Sequence, residues 1–210
     1  MITKILLCGA SGTGKTTVLN EFKKHGWDVQ TEVVRTLMKE KGIKINELAT
    51  EEGQAMIMET ISKQIGENDY FVADRCWFDA LAYTKWSSDH GKFSKQFYED
   101  QYAEGILAFT NDMDKTLIVY FPIEFPLVKD GVRSEDENYR KEVDENIKKL
   151  LDPWPHITVH GSVEERVFQI VNEVMWNHNG FKALDWLQDA KDMYYHYGIK
   201  ASRNRKENEK

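Results

Sequence analysis

The stretch Gly9-Ala10-Ser11-Gly12-Thr13-Gly14-Lys15-Thr16 decides the fold. It satisfies Gly-x-x-x-x-Gly-Lys-[Ser/Thr] at every fixed position, directly after the apolar run Lys4–Cys8 and directly before a helical pattern. Glycines let successive backbone N–H groups turn inward to form an anion nest, and the positive end of the following helix faces the same point. In such a loop the Lys15 ammonium reaches the β- and γ-phosphates of a nucleoside triphosphate and the Thr16 hydroxyl ligates Mg²⁺. Residues Gly9 to Thr16, with Thr17 beside them, are therefore the expected nucleotide-binding segment, with ATP and Mg²⁺ as cofactors. A Rossmann dinucleotide loop is the rival, since Gly9, Gly12 and Gly14 are close together and Glu32 follows about 20 residues on. After Gly12-x-Gly14, however, the third glycine position holds Thr17, and Lys15-Thr16 stands where that fold needs close helix packing.

Outward from the loop, short apolar runs alternate with longer helical patterns, which is the signature of a parallel α/β sheet. The expected strands are Lys4–Cys8, Asp28–Glu32, Tyr70–Asp74, Thr116–Phe121 and Ile157–His160. The expected helices are Lys15–Lys24, Val34–Lys41, Glu51–Gly66, Trp77–Trp86, Lys92–Ala108, Asn138–Leu151 and Val163–Met175. Residues Pro122–Arg140 are long for a connection and rich in charge, hence a candidate mobile lid. Phe181–Tyr197 reads as one more amphipathic helix. In Ala201–Lys210, Arg203, Arg205, Lys206 and Lys210 outnumber Glu207 and Glu209.

The 210 residues carry a formal charge of −7, 41% hydrophobic and 30% charged side chains, as expected of one globular domain. No apolar run approaches the ~18 residues of a membrane span, and the short N-terminal run reads as a buried strand rather than a signal peptide, hence a cytoplasmic protein. The net charge argues against nonspecific coating of nucleic acid. Cys8 and Cys76 are too few for a disulfide framework, and the six histidines show no metal-ligand spacing.

In parallel sheets, ligands sit beyond the carboxyl ends of strands. The third strand ends in Asp74-Arg75. Asp74 there can hold Mg²⁺, accept a proton from an attacking hydroxyl, or cap the next helix. Arg75 suits a phosphate or the acceptor, and Asp79, one turn on, either supports Arg75 or faces the acceptor. Glu32, at the end of the second strand, either meets the acceptor or pairs with Arg35. Arg133 is the first choice for a cation carried by the lid onto the transferred phosphoryl group, and Arg140 the second. The aromatic middle of the chain (Trp77, Phe78, Tyr83, Trp86) is mostly core, with one or two rings left to stack on an acceptor base.

Together, the loop, Glu32-Val33-Val34-Arg35, Asp74-Arg75, Asp79-Ala80-Leu81-Ala82-Tyr83 and Asp130-Gly131-Val132-Arg133 resemble the small P-loop kinases. More specifically, the chain resembles the AAA-type ATPase/kinase family related to the nicotinamide riboside kinase domain. Many members come from bacteriophages, and some, grouped with thymidylate kinases, phosphorylate 5-hydroxymethyl-deoxyuridine within DNA. The resemblance covers residues 1 to about 175. It implies a doubly wound, five-stranded parallel sheet with a lid, ATP and Mg²⁺, and an acceptor pocket near Glu32, Arg35, Arg75 and Asp79. The expected organisation is a kinase domain over 1–178, a helical extension over 179–199 and a basic tail over 200–210. The expected activity is phosphoryl transfer to a nucleoside-type acceptor, with 5-hydroxymethyluracil in phage DNA ahead of a free nucleoside, nucleoside monophosphate or nicotinamide riboside. Phage origin would place the protein in the host cytoplasm. A nucleotide-switch ATPase acting on a protein partner is the alternative from another class.

Overall fold

The computed structural model describes residues 2–31, 33–127, 134, 136–176 and 192–198. The elements follow the order β1 (Lys4–Cys8), α1 (Lys15–Lys24), β2 (Val29–Gln30), α2 (Val33–Lys41), α3 (Glu51–Gly66), β3 (Phe71–Asp74), α4 (Trp77–Asp89), α5 (Lys95–Asp112), β4 (Thr116–Tyr120), α6 (Glu137–Leu151), β5 (Ile157–Thr158) and α7 (Val163–Trp176). All pairings are parallel, in the order β2-β3-β1-β4-β5. The three central strands are buried along their whole length, so they read as continuous apolar runs and were legible as such. The edge strands β2 and β5 are two residues each, shorter than expected.

Each face of the sheet carries its own core. Leu6, Ala73, Ile118 and Tyr120 point toward a cluster with α3, α4 and α6, including Ile61, Trp77, Phe78 and Ile147. Ile5, Leu7, Val72, Val119 and Phe121 point the other way, onto Val18, Phe22, Val167 and Ile170 of α1 and α7. That alternation is the period-2 geometry of a strand covered on both faces. Residues 192–198 are helical and lay Met193 and Tyr197 on the second cluster, where the Tyr197 hydroxyl donates to Glu21 Oε2 at 2.6 Å. The rest of the expected extension and tail lies outside the described residues.

Helix ends follow local chemistry. α5 starts at Lys95 rather than Lys92 because Ser94 Oγ accepts from Phe97 N (3.2 Å), after Gly91 turns the chain at φ 67°. α6 starts at Glu137 because Asp136 Oδ1 accepts from the N–H groups of Asn138 and Tyr139. At the first turn of α4, Asp79 Oδ2 accepts from Cys76 N (3.0 Å) and the Cys76 thiol (3.4 Å), while Oδ1 accepts from Gly9 N at 3.1 Å. Asp79 is fully buried. Its carboxylate joins the start of α4 to the end of β1 across 70 residues of chain. The sequence had allowed it to face an acceptor; in the structure the capping geometry of α4 turns the side chain under the loop, with both oxygens accepting from protein donors.

Replacing Asp79 with alanine leaves two buried N–H groups without an acceptor, each worth ~1–3 kcal/mol. Chemical denaturation of Asp79→Ala is expected to show a loss of about 2–6 kcal/mol relative to wild type.

Candidate functional site

The loop between β1 and α1 contains three glycines at positive φ: Gly9 at 152°, Gly12 at 73° and Gly14 at 93°. A Cβ on Gly9 would stand 2.5 Å from the Phe121 carbonyl oxygen, and one on Gly14 would stand 3.1 Å from Arg166 Nη1. Both positions thus need glycine for conformation and for space. Lys15 is 5% exposed, and its ammonium donates to Gly9 O (2.6 Å) and Ala10 O (2.9 Å), so its charge sits at the base of the loop. A cavity of about 150 Å³ opens over residues Ser11 to Thr17 and extends to Asp74 and Arg75.

Thr16 Oγ1 donates to Asp74 Oδ2 at 2.5 Å. The first residue pair of α1 and the last residue of β3 are thereby brought together at the cavity, as two hard oxygen donors 58 positions apart in sequence. That donor set suits Mg²⁺, which prefers oxygen ligands and is held by one or two protein groups plus phosphates and water. Cys8, Cys76 and Asp79 also lie together, within 4.8 Å of one another, but both Asp79 oxygens are taken by protein donors. Burial first, then the hydrogen bond to Cys76 and the charge of Asp79, pushes the Cys8 thiol well above its ordinary pKa, and both cysteines are free and buried.

The carbonyl side of the loop is held by two arginines. Arg140, 3% exposed, donates through Nε to Ser11 O (2.8 Å) and through Nη2 to Gly12 O (3.3 Å), with Nη1 on Phe125 O (3.0 Å). It was expected on a closing lid. It stands instead in the first turn of α6, because Asp136 caps that helix and brings Arg140 against the loop. Arg166 of α7, 1% exposed, donates through Nη1 to Thr13 O (2.5 Å) and through Nη2 to Glu124 Oε2 (2.5 Å), and lies 4.8 Å from the Phe125 ring centroid. Glu124 also accepts from His160 Nδ1 (2.6 Å) and Gly161 N (3.1 Å). Partial burial raises the Glu124 pKa, yet the bonds from His160, Arg166 and Gly161 outweigh it and hold the carboxyl below its ordinary value.

Two further cavities flank the loop. One of about 240 Å³ lies between Gly12, Gly14, Thr17 and Val18 on one side and Phe125, Pro126, Gly161, Val163 and Arg166 on the other. The second, narrow at about 40 Å³, lies among α2, α3 and α4, with Val34, Asn46, Gln54, Ile57, Arg75 and Tyr83 in its walls. Arg75 lines both this cavity and the phosphate-side cavity. It takes φ 99°, a conformation rare for a residue with a Cβ, and its guanidinium carbon lies 5.6 Å from the Tyr83 ring centroid.

The structure therefore brings Gly9 to Thr17, Asp74, Arg75 and Arg140 together. Arg35 is exposed on α2, next to Val34 in the wall of the narrow cavity. Glu32 and Arg133 lie outside the described residues. Arg166, Glu124 and Gln54 were missed by sequence reasoning. A signal existed for two of them: Arg166 falls on the stripe of Val167, Ile170, Val171 and Val174, and Gln54 on the stripe of Ile57, Met58, Ile61 and Ile65. A polar residue on an apolar stripe marks a buried group that must find partners. Glu124 carries no such mark.

The parallel five-stranded sheet in the order 2-3-1-4-5, with this loop after β1, defines the P-loop kinase fold. The chain belongs to the AAA domain family, whose model matches residues 4–166. Among solved structures, a deoxyadenosine kinase from M. mycoides with dCMP and dCDP aligns at 19% identity and a TM-score of 0.56, over 81% of this chain and 98% of that one. The NadR protein in complex with NAD and AMP-PNP aligns at 15% identity and 0.62, over 86% of this chain and 50% of that one. Thymidylate kinase from Candida albicans aligns at 15% identity and 0.56, over 85% and 93%. No curated protein matches the chain. No helix among the described residues is long and apolar enough to cross a membrane.

The Glu124 carboxyl gives a pH test. Because its folded pKa is depressed, its stabilising contribution is present above the unfolded value of about 4.3 and is lost as pH falls through the folded value. In Glu124→Gln that contribution is absent at every pH. The gap in Tm between wild type and Glu124→Gln is expected to be widest near pH 7 and to narrow below about pH 4.

Proposed function

We propose that this chain is an ATP-dependent phosphotransferase that moves the γ-phosphoryl group of ATP to a hydroxyl of a nucleoside-type acceptor. The observation that carries the reading is the contact between Thr16 and Asp74 beneath the phosphate loop, at a cavity that Arg75 joins to a second one. In this reading the loop N–H groups and Lys15 hold the β- and γ-phosphates. Thr16 and Asp74 hold Mg²⁺, which when bound supplies charge neutralisation between the phosphates. The cavity walled by Phe125, Pro126 and Val163 takes the donor base, and the one walled by Gln54, Tyr83 and Arg75 takes the acceptor.

Phosphoryl transfer needs positioning and charge stabilisation more than covalent chemistry from the protein. Arg75 is suited to orient acceptor and phosphate together. Arg133 keeps its role as the candidate lid cation. The described residues that flank that segment lie beside both sites: Phe125 and Pro126 stand at the donor side, and Ser134 Oγ donates to Glu47 beside Asn46 of the acceptor side. Glu32 and Arg35 are proposed to flank the acceptor. At about 40 Å³ the acceptor cavity is narrow, and we propose that its α2 wall moves outward as the acceptor binds.

The enclosure of that cavity by three helices favours a free nucleoside or nucleotide over a base held in DNA, which would have to be flipped out to reach it. The related structures named above, whose names include nucleoside and nucleotide kinases, support the same order. The 5-hydroxymethyluracil base in DNA is the second reading, resting on the sequence resemblance.

The test is an acceptor screen with γ-labelled ATP and Mg²⁺ against nucleosides, nucleoside monophosphates, nicotinamide riboside and DNA containing 5-hydroxymethyluracil. Label is expected in a free acceptor, and Lys15→Ala or Asp74→Asn is expected to lower the rate by about 100-fold or more. Label in the DNA alone would select the second reading. ATP hydrolysis unaffected by every acceptor would reject the kinase reading in favour of a nucleotide switch.

A further inference from the structure

Three consecutive loop carbonyls, those of Ser11, Gly12 and Thr13, each accept from a buried guanidinium. A trans peptide unit is planar, so a carbonyl turned one way turns the next N–H the opposite way. Holding these three carbonyls outward therefore aims the N–H groups of Gly12, Thr13 and Gly14 into the loop. Arg140 secures the first two from α6, and Arg166 secures the third from α7.

Arg166 has features that packing does not explain. It is 1% exposed on a stripe otherwise made of valine and isoleucine, and its Nε is buried with no hydrogen-bond partner among the described residues. A buried, incompletely paired cation costs stability, so its presence calls for a role that outweighs that cost. Its only carboxylate partner among the described residues, Glu124, is shared with His160 and Gly161. The guanidinium also lines the cavity beside Phe125, against the α1 side of the loop. It thus touches the peptide unit between Thr13 and Gly14 and the wall of the flanking cavity at once.

We propose that Arg166, held by Glu124, is a positioning residue for the donor triphosphate: by fixing the Thr13 carbonyl outward it aims the Gly14 N–H at the phosphates and adds positive potential behind the nest. This rests on the phosphotransferase reading only in taking a nucleoside triphosphate as the ligand. Lysine cannot replace it, because one ammonium cannot span Thr13 O and Glu124 as the two ends of a planar fork do.

The experiment compares wild type with Arg166→Met, Arg166→Lys and Glu124→Gln, using calorimetric titration of MgATP and of inorganic tripolyphosphate, which has no base. Steady-state KM and kcat are measured alongside on any acceptor found. Arg166→Met is expected to weaken both ligands by a similar factor of about 10 to 100, with KM for ATP rising more than kcat falls. Arg166→Lys recovers little of this, and Glu124→Gln lies between. Titrations are normalised to the folded fraction, and if Arg166→Met fails to fold, the other two variants carry the test. Binding of both ligands within about twofold of wild type in Arg166→Met, or in both remaining variants, would overturn the proposal. So would weakening of ATP alone, which would make Arg166 a wall of the base cavity only. Wild type that binds tripolyphosphate, with Arg166 variants that bind it weakly, but that phosphorylates no acceptor, would sink the kinase reading and leave this inference standing. Wild type that binds neither ligand would sink both.

Discussion

An anion nest is made of N–H groups that all point one way, so the carbonyls of the same peptide units must all point the other way and still be satisfied. The structure meets that constraint with buried side chains. Asp79 accepts the Gly9 N–H at the start of the loop, Lys15 donates to the Gly9 and Ala10 carbonyls at its base, and Arg140 and Arg166 hold the carbonyls of Ser11, Gly12 and Thr13. These side chains come from α1, α4, α6 and α7. The loop is thus tied to helices on both faces of the sheet, and its shape depends on the whole fold being assembled.

This dependence explains what was legible in the sequence. The loop signature, the three continuous apolar strands and the approximate helix positions could be read because local chemistry dictates them: glycine for positive φ and apolar runs for doubly covered strands; the exact starts of α5 and α6, set by the caps Ser94 and Asp136, were not read. Thr16 and Asp74 were each expected as Mg²⁺ ligands, and because strand ends in a parallel sheet share one edge the two side chains meet there. The roles of Asp79 and Arg140 were not legible. Both stand one turn into a helix, where sequence alone cannot say whether a charge points at solvent, at a ligand or back under the loop. Arg166 and Gln54 left a trace as polar residues on apolar stripes, and Glu124 left none, since an acid in a connecting segment is ordinary.

The same network relates the two flanking cavities. Phe125 lies against Arg166, and its carbonyl accepts from Arg140, so the segment leaving β4 is fixed to the loop where the donor base is proposed to sit. On the other side, Arg75 reaches from the phosphate cavity into the narrow one. Its strained backbone follows Asp74 directly, which lets one strand end present a carboxylate and a guanidinium to adjacent cavities. A chemistry that joins a triphosphate to a second substrate requires that juxtaposition.

The most direct test of a pre-built triphosphate nest is a calorimetric titration of ATP into the wild-type chain, with Mg²⁺ and with Mg²⁺ chelated. One-to-one saturable binding that weakens when Mg²⁺ is removed is the expected result. Heat that stays at the dilution level to millimolar ATP under both conditions would contradict the account.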